Sequence, residues 1–442
     1  MRVRVQRFRL ISPTFAQANR VTRNRYNMHS IKRLFLFAAF AAALVLSSCS
    51  DSDNAAESHE AFVPTLSGKV ASVDDYGQLV ATFTPAEMAK AGFEYSDLVN
   101  VTLSDTLCFK KVPFVTSFNE VGAFNPIIVD YNARGTSCAF GVVNGNFHAE
   151  VGGAIGDRFF VTLAEKGGYK ETYELMKSVY PTERRAGETA EQYANFREVV
   201  TTGIGRGVLY RSSNPLNNSK NPGRYVVADS LTRAAGVKTE IDLSDTPERV
   251  AQCIASEGYA ATYCPQLYRE GKAVTCGIDA SPFGSAFKAG VAKAARFMIS
   301  NEPPYLVHCN EGKERCGFVC MLFEALMGAS VDEMRRDYMV TMLNFYRIPD
   351  GGESYNLRQR MSVDRLIWMM SNESARDYGY NIDWDNIDVY TGGGGLSESD
   401  RKWEAVSPRA AAIKYLTGCG LTEEEINALA GRLGGIEKNA ER

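Results

Sequence analysis

Short apolar stretches separated by turn residues fill the chain from about residue 62 to residue 168. They predict five strands, at residues 78–83, 99–103, 126–130, 137–143 and 158–163. Short strands bounded by Gly, Asn and Asp are typical of all-β folds. The pattern therefore predicts a small β-barrel or β-sandwich over residues 62–168, with no chemistry of its own and the role of a spacer or interaction domain.

The pattern changes after residue 168. Residues 169–192 are polar and predicted to be helical, and beyond them apolar strands at 208–210, 239–243 and 305–308 alternate with helical segments such as 287–299. Alternating strands and helices predict an α/β domain whose largely parallel sheet is flanked by helices. We assign this domain to residues 169–350.

Residues 351–442 are expected to form a helical extension that packs on the α/β domain. Residues 392–395 are four glycines and predict a flexible joint. Ser330 and Thr422 are predicted helix caps, because each precedes a helical pattern with Glu three residues later.

The N-terminal 49 residues predict export. Lys32 and Arg33 precede an apolar run at 34–46 that is too short to span a membrane. The sequence Leu46-Ser47-Ser48-Cys49 then matches a bacterial lipobox, in which Cys49 is lipidated. The alternative is an ordinary signal peptide with an incidental cysteine.

A lipidated Cys49 predicts an exported, membrane-anchored bacterial lipoprotein that faces the periplasm or the cell surface. Met28 is a natural start, so residues 1–27 are interpreted as a misassigned leader. Residues 50–61 are acidic and polar, which predicts a flexible tether.

Candidate chemistry centres on Cys309. An apolar strand, residues 305–308, leads into a loop that contains Gly312, and an apolar helix at 317–327 follows and ends at Gly328. A strand–loop–helix unit directs the loop N–H groups and the positive end of the helix dipole at one point. We therefore predict an anion site in this loop.

Cys309 opens the loop and Arg315 closes it, with five residues between them. A helix N-terminus and a guanidinium lower the pKa of a thiol, and Arg matches two phosphate oxygens. The predicted reaction is attack of the Cys309 thiolate on phosphorus, followed by hydrolysis of the cysteinyl phosphate. The alternative interpretation is a buried structural cysteine near a surface arginine.

The segment around Cys309 fits the pattern His-Cys-x-x-Gly-Lys-x-Arg-x-Gly, with His308 first and Gly317 last. It resembles the signature loop of the cysteine-dependent protein-tyrosine phosphatases, especially a bacterial branch. Segments 195–198, 207–213 and 236–243 resemble other motifs of that branch, in the same order. The resemblance spans roughly residues 190–350 and implies the fold and phosphomonoesterase activity of that family. We call residues 309–315 the signature loop.

The leaving group of a phosphoester needs a proton, and Asp279 is the first candidate for the general acid. It lies in a turn-rich segment before the signature loop, where the family has an acid on a mobile loop. Alternatively, Asp279 caps the helix predicted to begin near Phe283. Glu314 is a competing acid, which could instead orient Arg315 or point to solvent.

The remaining loop residues are predicted to bind substrate: Asn310, Glu311, Gly312, Lys313 and Glu314. Lys313 is expected to add a cation to the pocket rim. Phosphatases that act on phosphoinositides also have lysine at this position, so this resemblance implies a densely anionic substrate, such as a phosphoinositide or inositol polyphosphate, as the alternative. His308 is interpreted as a structural hydrogen-bonding residue behind the loop.

Cys316 departs from the family, which usually has Ser or Thr after the arginine. A thiol is a poorer donor, so we expect slow hydrolysis of the phosphoenzyme. Cys309 and Cys316 either form a reversible disulfide or Cys316 is an inert helix thiol. Other disulfides considered for an exported chain are Cys108 with Cys138 and Cys253 with Cys264.

Composition excludes several classes of function. The 442 residues carry a net charge of −3 and no long basic run in the mature part, so no nucleic-acid partner is predicted. The four histidines do not lie at zinc-ligand spacing from the cysteines, so neither metal nor cofactor is expected. Phosphorylated protein is the favoured substrate, and a non-catalytic phosphate-binding or adhesive lipoprotein is the alternative from another class.

Overall fold

The computed structural model describes residues 63–104, 107–131, 135–150, 152–217, 223–256, 262–279, 281–282, 284–370 and 407–435. The predicted signal peptide, Cys49, the tether and the glycine run at 392–395 lie outside the described residues. Phe62–Arg442 form one compact unit, which contains both sheets.

The N-terminal part of this unit is a closed β-barrel. Its seven described strands are β1 (Thr65–Val73), β2 (Leu79–Ala81), β3 (Leu98–Leu103), β4 (Leu107–Val115), β5 (Pro126–Asp130), β6 (Cys138–Val142) and β7 (Arg158–Glu165). They close in the order β1-β2-β6-β5-β4-β3-β7, and β4 and β5 pair in parallel. Short helices α1 (Pro85–Lys90) and α2 (Phe147–Glu150) accompany the barrel, and a 3-10 turn follows β4 (Phe118–Glu120).

Aromatic rings fill the barrel interior. Phe140 lies 5.1 Å from Phe109, 4.8 Å from Phe147 and 5.8 Å from Phe159, measured between ring centroids. Tilted and edge-on contacts at these distances stabilise a core beyond simple burial. A barrel of this size is therefore packed with side chains and has a solid interior.

The five strands predicted in this region are present, as β2, β3, β5, β6 and β7. The architecture is the predicted barrel and not the alternative sandwich. The sequence analysis missed β1 and β4. Most positions of β1 are exposed or half-buried, so its sequence lacks the apolar alternation that marks a strand.

The second sheet has five strands in the described residues: β8 (Arg197–Glu198), β9 (Leu209–Ser212), β10 (Thr239–Asp242), β11 (Ala273–Thr275) and β12 (Tyr305–His308). Their order is β11-β10-β12-β9-β8. The pairs β11–β10, β10–β12 and β12–β9 are parallel, and only the edge pair β8–β9 is antiparallel. Asp242, His308 and Ser212 lie side by side at the carboxyl edge, where α/β sheets bind ligands.

Helices accompany this sheet along the rest of the chain. They are α3 (Lys170–Met176), α4 (Ala190–Ala194), α5 (Arg224–Ala234), α6 (Pro247–Ala255), α7 (Tyr263–Arg269), α8 (Ser285–Ser300), α9 (Glu314–Met327), α10 (Val331–Asn344), α11 (Glu353–Arg358), a π-helical turn (Gln359–Val363), α12 (Asp364–Met369), α13 (Pro408–Gly418) and α14 (Glu423–Leu433). Helix α9 is buried over most of its length and packs against β12, α10, α13 and α14. None of the described helices is long and apolar enough to cross a membrane.

Both predicted helix caps are confirmed. Ser330 caps α10 and Thr422 caps α14, each in a capping box with the Glu three residues later. A continuous helix over residues 169–192 is wrong, because only α3 and α4 are helical there. Pro181 lacks a backbone donor and Gly187 adopts a φ of +82°, so the chain between them cannot continue a helix.

The C-terminal helices contact the barrel as well as helices α8 and α9. The Ala123 N–H donates to the Met361 carbonyl over 3.0 Å, and Arg365 Nη1 donates to the Ala123 carbonyl over 2.7 Å. A Cβ on Gly122 would lie 3.0 Å from Met361, so the two backbones pack closely. These contacts fix the barrel segment that follows β4 against the region around α11 and α12.

Candidate active site

The signature loop lies between β12 and α9. Helix α9 begins at Glu314, earlier than the sequence pattern predicts, so Arg315 and Cys316 belong to its first turn. Cys309 is only 2% exposed and lies directly after the buried strand. The start of α9 therefore faces the Cys309 sulfur, as the anion-site prediction requires.

Burial and neighbouring groups act in opposite directions on the ionisation of Cys309. Burial raises the pKa of its thiol, while the Arg315 guanidinium and the backbone N–H of Cys316 act in the opposite direction. Burial is the largest of these effects, so the pKa is raised overall. The lowered pKa expected from the sequence is wrong for this state, because the sulfur is buried and burial disfavours the thiolate.

Arg315 links the signature loop to the segment that carries Asp279. Its Nη1 donates to the Ile278 carbonyl over 3.3 Å. Burial would lower the pKa of Arg315, but Cys309, Tyr76 and Glu314 raise it. The guanidinium is thus close to the candidate nucleophile and next to the candidate acid.

Asp279 is half-buried, and its Oδ1 accepts a hydrogen bond of 3.0 Å from the Ser281 N–H. Burial raises the pKa of its carboxyl group, although the Ser281 N–H and Arg315 partly offset this. A capping role for Asp279 is wrong: α8 begins at Ser285, and its N-cap, Gly284, makes no side-chain cap bond. A raised carboxyl pKa next to an arginine of the signature loop suits a proton donor.

The framework holds the signature loop by its carbonyl groups. Asn214 N–H donates to the Asn310 carbonyl over 3.1 Å, and Asn195 Nδ2 donates to the Glu311 carbonyl over 2.9 Å. In a trans peptide, the N–H of the next residue points away from the carbonyl. The N–H groups that follow Asn310 and Glu311 therefore point away from the framework, toward the side from which an anion would approach.

A buried ion cluster lies beneath the loop. Arg211 donates from Nη2 to the Gly312 carbonyl over 2.9 Å and pairs with Asp337. Arg197 pairs with the same carboxylate over 3.0 Å. The two arginines lower the pKa of Asp337 despite its burial, so the cluster stays charged. Three of these supporting residues lie in the segments that resemble motifs of the phosphatase branch: Asn195, Arg197 and Arg211. The sequence analysis gave them no role.

Residues 189–379 match the family model described as the tyrosine phosphatase family. This part of the chain is therefore similar to the tyrosine phosphatase family. No curated protein matches the sequence. A solved structure, the "Crystal structure of uncharacterized conserved protein from Thermotoga maritima", is similar at 18% identity over 22% of this chain and 36% of that chain, with a TM-score of 0.20.

His308 lies behind the signature loop. It is fully buried, and its Nε2 is 2.9 Å from Glu240 Oε1. Burial would lower the pKa of His308, but Asp242 and Glu240 raise it to about 9. A charged His308 at neutral pH thus neutralises part of a buried acidic cluster directly beside Cys309.

The charged side chains of the loop pair with one another or with neighbouring elements. Lys313 Nζ lies 2.8 Å from Glu314 Oε1, and Lys313 is only 4% exposed. The Tyr346 hydroxyl donates to Glu311, whose pKa is raised by burial and by Glu314. The structure thus places Lys313 away from the rim, where the sequence analysis expected a cation, because a buried position with three partners is available to it.

Cys316 does not direct its thiol at the nucleophile. Its Sγ donates to the Val307 carbonyl over 3.3 Å, while its N–H bonds to Cys309. Burial would raise the pKa of Cys316, but Cys320 and the guanidinium of Arg211 lower it to about 6. Slow phosphoenzyme hydrolysis and a Cys309–Cys316 disulfide remain predictions.

The described cysteines are all free thiols, so neither Cys108 with Cys138 nor Cys253 with Cys264 forms a disulfide in this structure. No group of three or more His, Cys, Asp or Glu among the described residues is arranged to hold a metal ion.

Sequence reasoning missed the residues that the barrel and the C-terminal part of the chain bring to the candidate active site. Asn119, in the 3-10 turn after β4, accepts a hydrogen bond of 2.6 Å from Lys313 Nζ. The ring of Tyr346 lies 4.7 Å from the same ammonium group. The hydroxyl of Tyr415, on α13, donates to the carbonyl of Pro282 in the Asp279 segment. These partners lie far from the loop in sequence and belong to no motif, so no local signal identifies them.

Proposed function

We propose that this protein hydrolyses phosphomonoesters through a cysteinyl-phosphate intermediate and that protein phosphotyrosine is its substrate class. The observation that carries the proposal is the convergence of the Arg315 guanidinium and the Cys316 N–H on the Cys309 sulfur at a strand–helix junction. The similarity of residues 189–379 to the tyrosine phosphatase family supports a phosphatase in general terms.

In the first step, the Cys309 thiolate attacks phosphorus and the bond from phosphorus to the leaving oxygen breaks. Asp279 gives its proton to that oxygen, which is favoured by the raised pKa of its carboxyl group. Arg315 and the loop N–H groups hold the three remaining phosphate oxygens as negative charge develops. The products are an alcohol or phenol and a cysteinyl phosphate.

In the second step, water attacks the phosphorus of the intermediate and gives a proton to the Asp279 carboxylate. The sulfur–phosphorus bond breaks, and inorganic phosphate and the Cys309 thiolate are formed. Asp279 is then protonated again, so the enzyme returns to its starting state.

The raised pKa of Cys309 adds a condition to this scheme. At neutral pH the thiol form predominates in the described state, and attack requires its ionisation. Arg315 favours the thiolate, so its removal should reduce the reactive fraction further. We therefore propose a modest turnover rate that rises as Cys309 ionises.

Singly phosphorylated substrates are favoured over phosphoinositides and inositol polyphosphates. Hydrolysis of phosphoinositides or inositol polyphosphates was suggested by a cation at the pocket rim, but Lys313 is buried and paired with Glu314. A non-catalytic phosphate-binding lipoprotein remains the alternative from another class, and turnover separates it from the enzyme.

The test is hydrolysis of p-nitrophenyl phosphate by the wild type and by Cys309→Ser. We expect turnover by the wild type and none by Cys309→Ser, while Cys419→Ser, a partly exposed thiol at the end of α13, serves as the matched control and keeps its activity. Activity that survives in Cys309→Ser would refute the proposed nucleophile. Inactive wild type that still binds phosphate would favour the binding lipoprotein.

We also propose that the protein is a lipoprotein anchored through Cys49, a residue outside the described part. The Leu46-Ser47-Ser48-Cys49 sequence supports this. Growth with a radiolabelled fatty acid should label the wild type and leave Cys49→Ala unlabelled. Equal labelling of the two proteins, or none of either, would refute it.

A further inference from the structure

The β-barrel contributes directly to the signature loop. Asn119 Oδ1 accepts a hydrogen bond of 2.6 Å from Lys313 Nζ, although the two residues are 194 positions apart. The Asn119 side chain also bonds through Nδ2 to the hydroxyl of Tyr180, in the segment between α3 and α4. Asn119 of the barrel is therefore in direct contact with Lys313 of the signature loop.

The Asn119 position is held from several sides. Ser117 and Glu120 form a capping box around its 3-10 turn, and Glu120 is only 2% exposed. Farther along, Ala123 is hydrogen-bonded to Met361 and to Arg365. Because both ends of this short segment are fixed, the acceptor of Asn119 is pre-organised for Lys313.

Lys313 has three partners of different chemistry. They are the Asn119 amide oxygen at 2.6 Å, the Glu314 carboxylate at 2.8 Å and the Tyr346 ring at 4.7 Å. A lysine that is 4% exposed and surrounded in this way has little freedom to move toward a ligand. Its positive charge is paired with Glu314 and does not face the entrance of the pocket.

We propose that Asn119 is a specificity-determining residue: by holding Lys313 in its buried position, the barrel discriminates against polyphosphorylated ligands and favours compounds with a single phosphate group. This inference rests on the proposed function, since it concerns the substrate class of the same site. It also replaces the expected role of the barrel as a spacer with a part in the active site.

The charge balance of the loop explains the discrimination. A single phosphate group needs only Arg315 and the loop N–H groups, whereas further phosphate groups need additional cations at the entrance. Because Lys313 is paired with Glu314, it supplies no free positive charge for those further phosphate groups. Release of Lys313 should therefore improve polyanion binding more than it changes binding of one phosphate.

The experiment measures binding of inositol hexakisphosphate and of a phosphotyrosyl peptide by calorimetry, in the full chain with Cys309→Ser to prevent turnover. Asn119→Leu removes the acceptor with little change in shape, and Asn119→Asp keeps an acceptor for Lys313. Asn100→Leu is the matched control, since the Asn100 amide also accepts a hydrogen bond in the barrel, from the Lys111 N–H at 3.2 Å.

We expect Asn119→Leu to bind inositol hexakisphosphate about tenfold more tightly, the equivalent of one lost hydrogen bond to a charged group. Peptide affinity should change by less than about twofold, since one phosphate group does not use Lys313. Asn119→Asp and Asn100→Leu should behave like the parent. Adding Lys313→Met to Asn119→Leu should remove the gain.

Unchanged affinity of Asn119→Leu for inositol hexakisphosphate would overturn the inference, and so would a gain that persists without Lys313. Binding is measured without turnover, so these outcomes do not depend on catalysis. If the wild type fails to hydrolyse any phosphomonoester but the binding shift occurs, the proposed function fails and the role of Asn119 stands.

Discussion

Arg211 supports the signature loop from below by donating a hydrogen bond of 2.9 Å from Nη2 to the Gly312 carbonyl oxygen. The same guanidinium is fully buried and paired with Asp337. The position of the loop therefore depends on the buried charge of Arg211. Moving this guanidinium out of the interior would break its ion pair with Asp337.

Arg211→Met should destabilise the protein by about 3–5 kcal/mol, because it leaves Asp337 with one guanidinium fewer and the Gly312 carbonyl without its donor. Urea unfolding measures the change in free energy. Arg206→Met is the matched control: Arg206 is 74% exposed and pairs with Glu198, so its loss should cost less than about 1 kcal/mol. Equal stability of the two variants would contradict the structural role of Arg211.

Gly312→Ala should abolish most of the activity. Gly312 has a φ of +75°, and a Cβ there would lie 2.5 Å from the Ser212 carbonyl oxygen. The loop would have to shift, and a displacement on the order of 1 Å at reacting groups lowers rates by about 100-fold. The measurement is kcat/KM on p-nitrophenyl phosphate.

Gly351 provides the control for Gly312, because its φ is +73° but no atom lies within 4 Å of an added Cβ. Gly351→Ala should lose about 1–2 kcal/mol of stability from the left-handed backbone and keep its kcat/KM. If both variants kept full activity, the close packing of Gly312 on β9 would have no role in catalysis.

Asp279→Asn should slow hydrolysis of phenyl phosphate by about 100-fold or more and affect p-nitrophenyl phosphate much less, because p-nitrophenolate leaves without a proton. The pKa of Asp279 is raised, so its protonated form persists to higher pH than for an ordinary carboxyl group. The ratio of wild-type to Asp279→Asn rates should therefore fall as pH rises through that pKa, while the ionisation of Cys309 cancels in the ratio.

Asp350→Asn, at an exposed turn after α10, is the control for Asp279 and should leave both rates unchanged. A pH-independent ratio, or equal losses on the two substrates, would assign the acid to another residue. Glu314 would then be the next candidate.

His308 should make folding stability depend on pH. Its pKa is raised from 6.5 to about 9 in the folded protein, so its stabilising contribution is complete below pH 6.5 and is lost as pH rises through about 9. The difference in unfolding free energy between the wild type and His308→Gln should shrink from pH 6 to pH 9.5. A constant difference would show that His308 is neutral beside Glu240.

Local sequence patterns predicted the strand into Cys309, the helix end at Gly328 and the caps at Ser330 and Thr422, since each depends on residues close along the chain. Long-range packing decided the rest. The burial of Cys309 and the withdrawal of Lys313 depend on partners that no motif identifies.

The barrel shows the same limit. Five of its strands have apolar patterns, whereas β1 is mostly exposed and is defined by its pairing with β2 and β7. Its contact with the signature loop depends on Asn119, a polar residue in a short turn that looks like any surface loop in the sequence.

The most direct test of the account is to trap phosphate on the protein during turnover. Wild-type protein is mixed with a phosphotyrosyl substrate peptide labelled with phosphorus-32, and the reaction is quenched within milliseconds. The label should then be found on the proteolytic fragment of the protein that contains Cys309, identified by mass spectrometry. Cys309→Ser should carry none. Steady turnover with no covalent label, or with label on another residue, would contradict the mechanism.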